Sequence, residues 1–311
     1  LIADLFNKPF GGMAKMSDSN QIDNVRKPPW LKIKANFGPV YAEVKTLLNQ
    51  LNLHTVCQEA SCPNIGECFS ARTATFIILG DRCTRNCRFC DVNSGQPLPP
   101  DCDEPARVAE AIEKLKLRFA VVTSVTRDDL PDCGAAIFAQ TINRIKELPT
   151  GCQVEVLIPD LGGNRESLDI VIQAHPHVIA HNVETVPQLY DKVRPEADYI
   201  RSLEVLKYLS EKGHGIIVKS GMMIGLGETQ GQIESVLSDI AKTGCEIFTI
   251  GQYLAPSKDH LPVIKFYTPD EFAELKIIGE SCGITHVESG PLVRSSYMAH
   301  RQTQNFLAKI R

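Results

Sequence analysis

A chain of 311 residues with 43% hydrophobic and 23% charged residues has an ordinary globular composition and enough length to bury a large core. Its net charge of −4 gives no electrostatic reason to bind nucleic acid, and no apolar run approaches the roughly 18 residues that span a membrane. Eleven cysteines would suit a secreted disulfide scaffold, but the number is odd, the chain is long, and six of them fall in two tight triplets. A reducing compartment fits better.

Residues 1–26 are mixed polar, with Asp4, Lys8 and Pro9 interrupting any secretory pattern, and are expected to form a flexible arm. The chain begins at Leu1 rather than Met, so the expected location is the cytoplasm, or an organelle if a targeting segment has been removed. Residues 27–72 read as an N-terminal extension. Between Tyr41 and Leu53, Val44, Leu47, Leu48 and Leu51 recur at helical spacing and predict an amphipathic helix. The first triplet follows, Cys57-x4-Cys62-x5-Cys68, where Pro63, Asn64 and Gly66 permit tight turns.

From Thr73 onward two patterns alternate. Apolar, β-branched runs at 75–79, 119–123, 154–158, 177–180, 216–219 and 246–250 are predicted strands, and helical patterns separate them. Six strand–helix units in succession predict a parallel sheet with right-handed crossovers. The expected fold is α/β: a partial (β/α)6 TIM-like barrel over residues 73–283, with N-terminal and C-terminal extensions. In that architecture chemistry sits on loops beyond the C-terminal ends of the strands. The second triplet, Cys83-x3-Cys87-x2-Cys90, begins just after the first predicted strand. A helix over Pro269–Cys282 and a short apolar run at 284–287 lead to a C-terminal segment, 284–311, carrying Arg294, Ser295, Ser296 and Tyr297.

Three thiolates on short loops can hold three irons of a cubane cluster and leave the fourth without a cysteine. A structural zinc site normally takes four protein ligands, and no fourth Cys or His lies within ten residues of the second triplet. Arg82, Arg85 and Arg88 flank that triplet; they could offset the charge of a thiolate-bound cluster or simply face solvent. Lys219, at the end of a predicted strand, could meet a carboxylate. Cys102, Cys152, Cys245 and Cys282 are expected to behave as small buried hydrophobes, and Cys133 as a small packing residue. The sequence at 225–228, GLGE, lacks the third glycine of a dinucleotide-binding turn.

The second triplet, with Phe89 at its aromatic position, resembles the signature of the radical S-adenosylmethionine (SAM) superfamily. Paired with the first triplet it resembles the lipoyl synthase family. Further blocks carry that resemblance from about Lys27 to about Ala308: EASCPN at 59–64, TATF at 73–76, TSVTRDDL at 123–130, HNVETV at 181–186, VRP at 193–195, KSG at 219–221, GLGE at 225–228, GQYLAPS at 251–257 and RSSYMA at 294–299.

The resemblance implies two 4Fe–4S clusters and SAM as cofactors. A cluster on Cys83, Cys87 and Cys90 would bind SAM at its open iron and release a 5′-deoxyadenosyl radical. An auxiliary cluster on Cys57, Cys62 and Cys68 would be completed by a serine oxygen, Ser296, and be consumed as the sulfur donor. The residues alone leave Ser295 and Ser296 equivalent, and either could instead cap a terminal turn. SAM contacts would come from Phe89, Asp132, Gly134, Asn182 and Glu184. The family pattern Asp-Gly-Gly is here Asp132-Cys133-Gly134, so nothing carries over to position 133, and Asn182 could equally cap a helix.

The implied reaction inserts two sulfur atoms at C6 and C8 of a protein-bound octanoyl group. Implied partners are octanoylated lipoyl carrier domains (2-oxoacid dehydrogenase E2 subunits, glycine cleavage H protein) and an electron donor such as ferredoxin or flavodoxin; neither nucleic acid nor membrane is expected. A methylthiotransferase and a zinc-bound interaction protein are the alternative readings.

Overall fold

The computed structural model describes residues 27–32, 38–60 and 62–310; the arm expected over 1–26 lies outside them. One sheet contains eight strands in chain order: β1 (His54–Thr55), β2 (Thr75–Ile78), β3 (Phe119–Ser124), β4 (Gln153–Leu157), β5 (Val178–Ala180), β6 (Ile217–Ile224), β7 (Ile247–Gln252) and β8 (His286–Gly290). Strands β2 to β8 are parallel, and β1 joins the edge antiparallel to β2. Among the described residues β8 has no neighbour beyond β7, so the sheet stays open and the barrel is partial.

All six predicted strands are present. The apolar run at 284–287 turns out to open a seventh parallel strand, β8. Only His286 and Val287 of that strand are fully buried, and its polar continuation through Glu288 and Ser289 hides the strand pattern. β2 and β7, by contrast, are buried along their whole length, as strands covered on both faces must be.

The helix predicted at 41–53 runs from Pro39 to Gln50, because proline suits a first helical turn that needs no N–H partner. It packs on the short helix Ile65–Ser70 through Tyr41 and Phe69, whose ring centroids lie 5.4 Å apart. Val44, Leu48, Leu53, Cys57 and Phe69 share one hydrophobic core with the strands, so the N-terminal extension is part of the barrel's packing. Helices Gln230–Lys242 and Pro269–Ser281 each begin with a reciprocal capping box, Thr229 with Gln232 and Thr268 with Glu271.

Cys152 and Cys245 are buried as expected, but Cys102 and Cys282 are exposed. Both sit at helix boundaries, where no periodicity directs a side chain inward. No helix among the described residues is long and apolar enough to cross a membrane.

Candidate active site: two cysteine triplets at the strand ends

Because seven strands run the same way, their C-terminal ends deliver seven loops to one rim. The loop after β2 carries Cys83, Cys87 and Cys90. It is clipped to the loop after β3: the Thr84 N–H and hydroxyl both donate to the Thr126 carbonyl at 3.0 Å. Cys83 Sγ accepts from the backbone N–H groups of Arg85 (3.4 Å) and Thr126 (3.3 Å). Such donors stabilise sulfur that carries negative charge and tune a cluster's potential. Burial pushes the Cys87 thiol up to about 11, against the pull of nearby Arg194, and the Cys90 thiol up to about 12.

Arg82 and Arg88 are exposed, as the solvent reading of these residues had it. Arg85 is buried but spent elsewhere. It binds Asp128 through Nε (2.7 Å) and Asp160 through a terminal nitrogen (2.7 Å). The guanidinium that faces Cys87 is instead Arg194, anchored on the carbonyls of Asn182 (2.9 Å) and Val183 (3.2 Å). The block at 193–195 was visible in the sequence, but nothing in it pointed to the loop it would face.

Burial would raise the Asp160 carboxyl, yet the hydrogen bonds and charge of Arg85 outweigh it and hold the group at about 2. A carboxylate depressed on folding stabilises the fold above its unfolded value near 4 and loses that contribution as pH falls toward 2. We therefore expect an acid transition between about pH 4 and 2, worth about 2 kcal/mol, that Asp160→Asn removes. Acid titration followed by circular dichroism checks this; an unchanged acid limb in the variant refutes it.

The first triplet lies on two short helices, with Cys57 in Val56–Glu59 and Cys68 in Ile65–Ser70, and Cys62 in the turn between them. A hydrogen bond between Cys57 and Cys68 raises the first thiol and lowers the second, while burial and the neighbouring Cys57 raise Cys62. The C-terminal segment after β8 lies against this triplet. Asn64 Nδ2 donates to the Leu292 carbonyl at 3.0 Å, and the Tyr297 hydroxyl donates to Glu67 at 2.9 Å. The segment crosses β7 at Gly251, where any side chain would collide with the Val293 carbonyl. Arg294 comes within electrostatic reach of Cys62 and Glu184.

Asn182 and Glu184 lie on the loop after β5. Asn182 Nδ2 donates to Glu184 (3.0 Å) and to the Ser295 hydroxyl (2.8 Å), while its buried Oδ1 has no partner. Glu184 feels Arg194 and Arg294 and is felt by Cys87 and Cys90, and burial raises its carboxyl. The site residues expected from the sequence have different surroundings: Cys83, Cys87, Cys90, Phe89, Asp132, Gly134, Asn182 and Glu184 lie on loops beyond the C-terminal ends of β2, β3 and β5, whereas Cys57 lies beside Thr75 at the start of β2. Phe89 packs against Val193, Leu226 and Tyr253. Asp132 accepts from the N–H groups of Gly134 (3.0 Å), the N-cap of helix Ala135–Lys146, and of Ala136 (2.8 Å) in its first turn. Gly134 has φ +88° and abuts Leu79, so no side chain fits there. Asn182 caps no helix.

The donor sets suit two cubane clusters. Each triplet offers three soft sulfurs whose ionisations influence one another. Among the described residues no three His, Cys, Asp or Glu side chains converge on one point as the ligands of a single ion do, whereas a cubane presents a separate iron to each thiolate.

Comparison with known proteins decides the family. The Radical SAM superfamily profile matches residues 77–240, and the profile described as the N-terminal domain of lipoyl synthase matches residues 11–62. A lipoyl synthase from Rubrobacter xylanophilus is 54% identical over 279 residues, covering 90% of this chain and 87% of the relative. One from Caldicellulosiruptor saccharolyticus is also 54% identical, covering 90% of this chain and 98% of its own. This chain belongs to the lipoyl synthase family.

Like other lipoyl synthases it inserts two sulfur atoms, at C6 and C8, into a protein-bound octanoyl group, using two 4Fe–4S clusters, one of them an auxiliary sulfur donor, and SAM. The methylthiotransferase and zinc-protein alternatives fall away. Solved structures agree on the fold. Streptococcus suis SuiB, bound to its precursor peptide SuiA, superposes with TM-score 0.52 at 10% identity over 80% of this chain and 52% of SuiB. HydG, a maturase of the FeFe hydrogenase, gives TM-score 0.52 at 18% identity over 68% of this chain and 55% of its own.

Proposed function

We propose that Cys83, Cys87 and Cys90 hold the cluster that cleaves SAM, and that Cys57, Cys62, Cys68 and Ser296 hold the one that gives up sulfur. The observation that carries this division is the C-terminal segment, tied to the first triplet by Asn64 and Glu67 and to the loop after β5 by Asn182. Ser295 has its hydroxyl engaged by Asn182, whereas the Ser296 hydroxyl makes no hydrogen bond among the described residues, which favours Ser296 as the ligand. An oxygen among sulfurs is a hard ligand and holds iron less firmly, which suits a cluster that must open. When bound, the clusters supply the electron for SAM cleavage and the sulfur for the product.

The chain's own groups then orient the reactants. Asn182 and Glu184 are offered to the ribose hydroxyls of SAM. Gly134 gives the methionine end room, with Asp132 holding the helix start beneath it. Phe89 fixes the triplet loop against the β7 loop. Arg194 and Arg294 balance negative charge beside the second and first triplets respectively. We place the functional parts at 27–72, 73–283 and 284–311.

The octanoyl chain would arrive on a lysine of a 2-oxoacid dehydrogenase E2 domain or a glycine cleavage H protein, with electrons from ferredoxin or flavodoxin. A cytoplasmic setting, or an organellar one after removal of a targeting segment, accords with eleven free cysteines. Anaerobic incubation of the reconstituted enzyme with an octanoylated carrier peptide, SAM and a reductant should yield a peptide bearing two added sulfurs by mass spectrometry. SAM cleavage without sulfur addition would overturn the reading.

A further inference from the structure

Lys219 on β6 and Glu155 on β4 form an ion pair that is fully buried, with Nζ 2.7 Å from Glu155 Oε1. An apolar pair of similar volume in such a place is often as stable or more so, so stability alone does not account for these charges. The pair has a third member. Lys219 Nζ also donates to the Ser295 carbonyl, at 2.6 Å, in the segment that follows β8. Ser295 is therefore held twice, by Lys219 at its carbonyl and by Asn182 at its hydroxyl.

The carbonyl of Ser295 lies in the planar peptide unit that ends at the Cα of Ser296. Gripping that oxygen sets the plane's orientation and with it the direction in which the Ser296 side chain leaves the backbone. We propose that Lys219, held by Glu155, is a positioning residue for the serine ligand of the auxiliary cluster. This rests on the reading of Ser296 as that ligand. A weak oxygen ligand depends on such support more than a thiolate does, because little of its hold comes from the bond itself. Glu155 aims the ammonium, and its other oxygen, Oε2, has no hydrogen-bond partner among the described residues, so Lys219 is the group it holds there.

The test is the double variant Lys219→Met/Glu155→Leu, which removes both charges together and leaves neither buried alone. Melting by circular dichroism establishes that it folds. Protein loaded with iron-57 is then challenged with an iron chelator, with Mössbauer spectra recorded as iron is lost. One iron should leave the auxiliary cluster about 10–100-fold faster than from the parent, the usual cost of losing a group that orients a metal ligand. 5′-Deoxyadenosine formation should persist in the same sample.

Ser296→Ala is run alongside. If it releases that iron quickly while the double variant behaves as the parent, the positioning role is overturned and the ligand reading stands. If Ser296→Ala itself matches the parent, the ligand reading fails and the positioning role fails with it. Should the double variant not fold, Lys219→Arg keeps the charge but moves the donor, and the same outcomes decide.

Discussion

With Cys83 replaced by alanine, the reconstituted enzyme should keep about half its iron, about four of eight atoms per chain, and form neither 5′-deoxyadenosine nor sulfur-bearing product. Cys83 is the cysteine of its triplet most tied to the barrel: its sulfur accepts two backbone N–H groups, one from the loop after β3, and its own N–H donates to the Asn93 carbonyl at 2.8 Å. Alanine removes one corner ligand and leaves those donors without their sulfur. The remaining thiols, Cys87 and Cys90, are half-buried and shifted toward the protonated form, so they gain nothing that would retain a cluster on two sulfurs. Iron analysis and chromatography of the adenosyl product check this. Parent-like SAM cleavage in the variant would remove Cys83 from the radical site.

Cys57→Ala should have the complementary effect. SAM cleavage in the presence of octanoylated peptide should continue, and sulfur insertion should stop. Cys57 is buried on the helix Val56–Glu59 and hydrogen-bonds to Cys68, so its loss opens the first triplet from the inside. No residue of the second triplet depends on it for a hydrogen bond. The two activities are read from one reaction mixture, by chromatography for 5′-deoxyadenosine and mass spectrometry for the peptide. Full sulfur insertion by Cys57→Ala would contradict the donor role of the first triplet.

Much of the fold was legible because its signals are local. Runs such as 119–123 and 246–250 announce buried strands through β-branched residues alone, and both formed β3 and β7 nearly in register with the reading. β8 escaped because burial of two residues leaves too short a pattern. The charges around the site stayed open for a different reason. Arg85 sits between two cysteines of the triplet, and the sequence leaves open whether it offsets a cluster's charge or faces solvent. Asp128 and Asp160 arrive from the ends of β3 and β4 and cancel it. Arg194, far along the chain, supplies the charge that Cys87 feels. The Asp132 carboxylate also takes two N–H groups at the start of a helix, an engagement its place in the sequence does not announce, because the residues after it begin a helix whose first N–H groups need an acceptor.

Cysteine number and spacing are covalent facts, so the sequence by itself determined that two triplets of three cysteines exist, each without a fourth cysteine beside it. It also determined, through the order of strands and helices, which loops share the barrel rim. What the tertiary structure decided is how those sets relate. Contacts joining Asn64 to Leu292 and Glu67 to Tyr297 span 228 and 230 positions, a separation no local pattern encodes. The distinction between Ser295 and Ser296, identical as residues, arises only because Asn182 and Lys219 converge on the first of them. Long-range packing, not residue type, sets the environment that makes Ser295 a hydrogen-bond partner and treats its neighbour differently.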